Sequence, residues 1–210
     1  MNNRKSRSKK PFVIAVTGGI ASGKTTVCEL FGSLFNIETI DADELAKKAV
    51  AAGSEFLGQI VSVFGSEILD STNNLNRPLM KKIVFQDQTL RKELEQIVHP
   101  AVKTLILQNL MRISGEYCLI GIPLLKAKTQ DPNIDRILVV DCEEQEQIKR
   151  AMARDNLSQH DVENILSSQL GRKERLDLAD DVILNKGSKF ELAAEVERLN
   201  SLYEDLSSTI

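Results

Sequence analysis

Eight residues near the start of the chain, Gly18-Gly19-Ile20-Ala21-Ser22-Gly23-Lys24-Thr25, constrain its fold more than anything else in the 210-residue sequence. They satisfy the spacing G-x-x-x-x-G-K-[ST], in which glycines let the backbone turn so that successive N–H groups point at one spot. The run before them, Phe12–Thr17, is apolar and largely β-branched and reads as a buried strand, while residues 25–35 after them read as a helix. Strand, glycine-rich turn and helix, in that order, aim the unpaired N–H groups of a helix N-terminus at an anion. Lys24 then reaches the outer phosphates of a nucleotide and the Thr25 hydroxyl takes Mg2+. Gly18, Gly19, Ile20, Ala21, Ser22, Gly23 and Thr26 complete the cradle. The rival reading, a glycine-rich turn with an exposed lysine, leaves the flanking strand and helix unexplained.

Four more runs, residues 37–41, 117–122, 136–141 and 181–184, read as strands and alternate with helical segments. That alternation predicts an α/β protein built on a P-loop NTPase-type parallel sheet flanked by helices. Two stretches are too long to be simple crossovers. Residues 53–115 look wholly helical, with Phe56, Ile60, Val63 and Phe64, then Leu94, Ile97, Val98, Val102 and Leu105, at mostly helical spacing. Residues 143–178 are helical and highly charged. The expected organisation is a disordered basic arm at 1–11, a nucleotide-binding core from 12–52, 115–142 and 179–208, a helical acceptor-binding insertion at 53–114 and a helical lid at 143–178.

Composition narrows the function classes. Hydrophobic residues make up 42% and charged ones 27%, ordinary globular values, and no apolar run approaches membrane length. The three cysteines, Cys28, Cys118 and Cys142, form no C-x-x-C pair, which points to a reduced, cytoplasmic setting rather than a zinc knuckle or a secreted scaffold. Net charge is −3, yet Arg4, Lys5, Arg7, Lys9 and Lys10 crowd the first ten residues, so the body is more acidic still. An acidic body is a poor match for nucleic acid, whose affinity rests on phosphate neutralisation. The arm reads as a solvated tail in preference to a nucleic-acid arm or the start of a signal peptide. No nucleic-acid or membrane partner is expected, and the chain reads as a monomer or weak homo-oligomer.

A phosphate loop alone does not separate a kinase from a nucleotide switch. The second strand ends in Asp41-Ala42-Asp43, and in an extended strand residues i and i+2 face the same side. Strand ends of such a sheet flank the phosphate loop, so one carboxylate of the Asp41/Asp43 pair can hold Mg2+ while the other orients and deprotonates an acceptor hydroxyl. The alternative is that Asp43 caps a helix over residues 44–50. Arg150 and Arg154, at i, i+4, share a face of a lid helix that could close over the transferring phosphoryl group, and Arg172 and Arg175 repeat the pattern at i, i+3. Pairing with Glu143, Glu144, Glu146 and Asp155 is the competing explanation. The run Arg136–Asp141 resembles a Walker B strand but reads as an ordinary buried strand ending in Asp141. Asn185-Lys186-Gly187-Ser188 lacks the final Asp of a guanine-reading loop, which leaves Asn185 and Gly187 to flank adenine.

Together these fragments resemble the dephospho-CoA kinase family. The likeness runs from Val13 to about Tyr203 and is carried by residues 17–26, Ile40-Asp41-Ala42-Asp43, Asn76-Arg77-Pro78-Leu79 before Phe85, His99-Pro100 and Pro123-Leu124-Leu125. It continues through Lys149-Arg150, Arg154-Asp155, Gln169, Arg175, Ala179-Asp180, Val182-Ile183 and Asn185-Lys186-Gly187. The resemblance implies transfer of the γ-phosphate of ATP, with Mg2+, to the ribose 3′-hydroxyl of dephospho-CoA, the last step of coenzyme A synthesis. It implies Asp43 as base, Lys24 and Thr25 as phosphate and Mg2+ residues, Arg150 or Arg154 as lid clamp, and Arg77 and His99 in the acceptor domain. Two departures stand out. Ala21 replaces a usual glycine, which is harmless at negative φ, and Lys126-Ala127-Lys128 replace an aromatic residue and Glu after Leu125. Other P-loop kinases, acting on a nucleoside or sugar acid, and a nucleotide-switch ATPase are the competing functions.

Overall fold

The computed structural model describes residues 10–123 and 131–209, so the Lys126-Ala127-Lys128 departure lies outside the described residues. Five strands, β1 (Phe12–Thr17), β2 (Thr39–Asp41), β3 (Tyr117–Gly121), β4 (Arg136–Asp141) and β5 (Asp181–Leu184), pair in parallel in the order β2-β3-β1-β4-β5. The inner strands are unbroken apolar runs because helices cover both faces of a parallel sheet. Val13 to Val16, Cys118 to Ile120 and Ile137 to Val140 are all buried. Strand β1 sits between β3 and β4, with Val16 beside Gly121 and Leu138. The strand order turns back on itself at β1, and that crevice at the carboxyl ends is where open α/β sheets bind ligands.

The helices are α1 (Lys24–Phe35), α2 (Ala42–Ala49), α3 (Glu55–Phe64), α4 (Arg77–Gln86), α5 (Gln88–Leu110), α6 (Glu144–Asp155), α7 (Gln159–Ser168), α8 (Arg172–Leu178) and α9 (Lys189–Ser208). Val27 and Phe31 of α1 and Leu192, Val196, Leu199 and Tyr203 of α9 are buried with Ile14, Val16, Leu119, Leu138 and Val140 of the sheet. Tyr203 fixes that packing in direction: its ring stacks on Phe31 at 6.1 Å and meets Tyr117 edge-on at 5.7 Å. Its hydroxyl donates to Asp181 at 3.0 Å, and the Tyr117 hydroxyl donates to Asn200. These polar tips are satisfied inside an apolar layer, which ties α1 and α9 to one position on the sheet.

The compact units differ from the sequence expectation. Residues up to Asp41 and from Ile113 onward form one unit, and Ala42–Arg112 form the other. Helix α2, expected in the 12–52 core segment, groups with the helical unit because Ala49 and Val50 bury against Ile60, Phe64, Met80 and Ala101. The three helices of 143–178 group with the sheet instead of standing apart. Residues 10 and 11 do not belong to the expected arm, since Pro11 is buried and Lys10 donates to the Asn133 carbonyl at 3.1 Å, and the rest of it lies outside the described residues. The helical unit also contains a turn, where Asp70 accepts from the Thr72 and Asn74 N–H groups and Leu69 bridges Leu75. An Asx turn of this kind competes with helix. Helix α5 runs through Pro100, which cannot donate to the Gln96 carbonyl.

Candidate active site

The loop between β1 and α1 takes its shape from places where a side chain cannot go. A Cβ on Gly18 would lie 2.4 Å from the Ser22 hydroxyl and 2.5 Å from the Val140 carbonyl oxygen. One on Gly23, at φ +100°, would lie 2.1 Å from the Asn185 amide nitrogen. The loop turns back through a Ser22 N–H to Gly19 carbonyl bond of 3.1 Å, and α1 then starts with Val27 N–H on the Gly23 carbonyl at 3.0 Å. Lys24 opens the helix, half-buried, with Thr25 exposed beside it and no acidic residue in the first turn. A helix N-terminus that carries a cation and no acidic residue in its own first turn favours anions.

Ala21 does not have the negative φ that would make it harmless: it lies at φ 53°, in the left-handed region. There a Cβ crowds the following carbonyl, at a cost of about 1–2 kcal/mol, which glycine avoids. Ala21→Gly is expected to raise stability by about 0.5–1 kcal/mol after the unfolded-state entropy of glycine is subtracted. A denaturant midpoint moving upward with an unchanged slope is the measurement, and no shift or a downward one would contradict the strain.

Two side chains brace the loop from outside. Gln169, between α7 and α8, accepts from the Ile20 N–H at 3.0 Å. Asn185, buried after β5, donates to the Ser22 carbonyl at 2.8 Å and accepts from the Gly187 N–H at 3.0 Å. These bonds hold the loop and Asn185's own turn, a supporting task that the adenine reading did not foresee.

The arginines divide into two kinds. Arg154 is exposed and bidentate on Asp155, at 2.8 and 2.7 Å, the pairing that competed with the clamp reading. Arg150 is less exposed, 3.8 Å from Glu146, with a guanidinium nitrogen 3.4 Å from where a Cβ of Gly187 would lie. Arg172 clasps the buried carboxylate of Asp141 at the end of β4 and also reaches Glu143 at 2.8 Å. Its guanidinium pKa is held up by those carboxylate bonds. Arg175 differs: burial lowers its pKa, and its Nη2 lies 3.1 Å from where a Cβ of Gly19 would be.

Asp41 ends β2, but Asp43 is not its extended-strand partner. Helix α2 begins at Ala42, so Asp43 lies in the first helical turn, exposed, and inside the helix it would have capped. The strand-alternation argument for a paired face fails at Ala42, where φ and ψ turn helical. In the helical unit, Arg77 follows the cap Asn76, whose side chain accepts from Leu79 N–H, and donates to the Lys47 carbonyl at 3.4 Å. His99 lines an open depression with Lys92, Glu95, Gln96 and Pro100. Behind the loop, burial pushes the Cys28 thiol up to about 12, which leaves it neutral and unreactive.

The family model described as dephospho-CoA kinase matches residues 12–191. The chain belongs to the dephospho-CoA kinase family. The chain is 38% identical over 191 residues to a dephospho-CoA kinase from Vibrio parahaemolyticus, covering 91% of this chain and 94% of that one. Among solved structures it is similar to TT1252 from Thermus thermophilus, with a TM-score of 0.80 and 30% identity, covering 92% of this chain and 98% of that one. It is similar too to a dephospho-CoA kinase from Campylobacter jejuni, with a TM-score of 0.63 and 26% identity, covering 93% and 98%. As a family member the chain is an ATP-dependent kinase of coenzyme A synthesis.

Gln147 went unread in the sequence, although a signal was there: it shares the buried face of α6 with Ala151, a polar residue at an apolar position.

Proposed function

We propose that this chain transfers the γ-phosphoryl group of ATP to the ribose 3′-hydroxyl of dephospho-CoA, giving coenzyme A and ADP. The observation that carries the reading is the loop itself, closed to side chains at Gly18 and Gly23 and opening onto the Lys24 end of α1. Lys24 balances charge on the β and γ oxygens as the bond between γ-phosphorus and the bridging oxygen breaks. Asp43 takes the proton of the 3′-hydroxyl as its oxygen bonds to phosphorus. The Thr25 hydroxyl and Asp41 fit Mg2+, which keeps several waters and phosphate oxygens and so needs few protein ligands. Among the described residues there is no group of three or more His, Cys, Asp or Glu that would hold a metal without the nucleotide. Arg150, beside Gly187, and Arg154 belong to the nucleotide side, with Asn185 and Gly187 near adenine, while Arg77 and His99 belong to the acceptor. Both substrates are soluble, the setting is cytoplasmic, and the assembly is a monomer or weak homo-oligomer. No helix among the described residues is long and apolar enough to cross a membrane.

Mass spectrometry after incubation with Mg-ATP and a panel of acceptors tests the reading. Dephospho-CoA should gain one phosphate at the ribose 3′ position. Phosphorylation of a nucleoside or sugar acid in its place, or ATP hydrolysis with no acceptor modified, would overturn it.

A further inference from the structure

The P-loop is touched by one buried polar group that the reaction scheme above does not use. Gln147 lies on the inner face of α6, 2% exposed. Its Nε2 donates to the Cys142 carbonyl at 2.7 Å, which decides how the amide faces, since the reverse orientation would set two carbonyl oxygens together. Its Oε1 is therefore turned to Gly19, where a Cβ would lie 2.3 Å away, and it has no hydrogen-bond partner. Buried acceptors left unpaired are uncommon and call for a ligand or a moving donor.

The donor is close at hand. Arg175 reaches the same point over Gly19 with Nη2, while its Nη1 donates to the Leu170 carbonyl. Among the described residues no carboxylate lies within ion-pair distance of Arg175, although Asp141, which Arg172 clasps, and Glu144 favour its charge from further off. Burial destabilises the charge of Arg175, so an anion arriving at the loop gains from it. A bare carbonyl oxygen beside phosphates would repel them, whereas one bonded to a guanidinium would not. Glycine at position 19 leaves the space in which the two groups meet.

We propose that Gln147 is a positioning residue for phosphoryl transfer: its Oε1 accepts from Arg175 once phosphates fill the P-loop, holding the remaining guanidinium N–H groups toward the transferring phosphoryl. The inference rests on the kinase reading and makes Arg175 a catalytic residue. Gln147 acts only through it.

Three variants test it. Gln147→Met should lower kcat at least tenfold with the KM for ATP within twofold, and should weaken binding of ADP–aluminium fluoride by a similar factor while ADP alone binds as before. Gln147→Glu keeps an oxygen for Arg175 but loses the bond to the Cys142 carbonyl, so kcat should return to within threefold of wild type even at a lower melting temperature. In an Arg175→Met background, Gln147→Met should cost nothing further. Additive losses in that background, or Gln147→Glu as slow as Gln147→Met, would overturn the proposal and assign Gln147 to the Cys142 bond alone. Should Gln147→Met not fold, the kcat of Gln147→Glu decides, a tenfold loss counting against. A wild-type protein that phosphorylates nothing sinks the functional reading instead, and the ADP–aluminium fluoride comparison still judges Gln147.

Discussion

Lys24→Ala is expected to lower kcat by on the order of a thousandfold while the protein melts as the wild type does. The two halves of that expectation have separate causes. Lys24 is the first residue of α1, half-buried, and contributes nothing to the apolar layer formed by Val27 and Phe31. Alanine at that position is at least as good a helix former as lysine, so the helix is kept. The ammonium, however, is the side-chain cation at a helix start with no acidic residue in its first turn. Charge grows on the bridging β–γ oxygen as the phosphoryl leaves, and no N–H dipole of the loop replaces a full positive charge there. Single-turnover kinetics with Mg-ATP reads the loss free of product release. A well-folded variant within tenfold of wild type would mean that the loop does not hold the transferred phosphate.

What the sequence disclosed and what it hid follow a physical line. β1, β4 and β5 match their expected ends because each is a short apolar run stopped by a polar or glycine residue; β1 and β4 are buried on both faces, while β5, at the sheet edge, buries only Ile183 fully. β2 starts at Thr39, two residues later than the apolar residue Ile37 suggests, for a different reason. Ile37 is apolar because it packs on the core as the chain leaves the left-handed cap Asn36, not because it pairs in the sheet. Asn76 before Arg77-Pro78 went unread as a helix start, although the pattern is local and the structure has the cap bond to Leu79 there. Local chemistry of that sort is legible residue by residue. The φ of Ala21, by contrast, is imposed by the closure of the loop on Ser22 and Asn185, and the brace from Asn185 spans 163 positions of sequence. Gln147 and Gln169 are alike in this: each meets the P-loop only because α6, α7 and α8 fold back over the sheet, which periodicity cannot report.

Asp43→Asn is expected to lower kcat at least on the order of a hundredfold while ATP binds as before. An amide of the same shape can hold the acceptor hydroxyl but cannot take its proton. The stability side of the substitution is small by comparison. Asp43 is exposed in the first turn of α2, where its charge favours the positive end of the helix by about 0.3–1 kcal/mol, and Lys47 and Lys48 match it at the other end. A hundredfold in rate corresponds to about 2.7 kcal/mol of barrier, more than the helix term, so the two roles separate cleanly. Asp43→Glu sharpens the comparison: a carboxylate displaced by one methylene keeps the helix term and regains part of the rate. Asp41→Asn should leave the proton transfer intact and instead raise the Mg2+ concentration needed for half-maximal activity, since that carboxylate ends β2 and belongs to the sheet unit that carries the P-loop. Initial rates over a Mg2+ titration, run on both asparagine variants beside their thermal melts, distinguish the outcomes. Normal rates at every Mg2+ concentration with lowered melting temperatures would make both aspartates helix-terminus residues and leave the base to be found elsewhere.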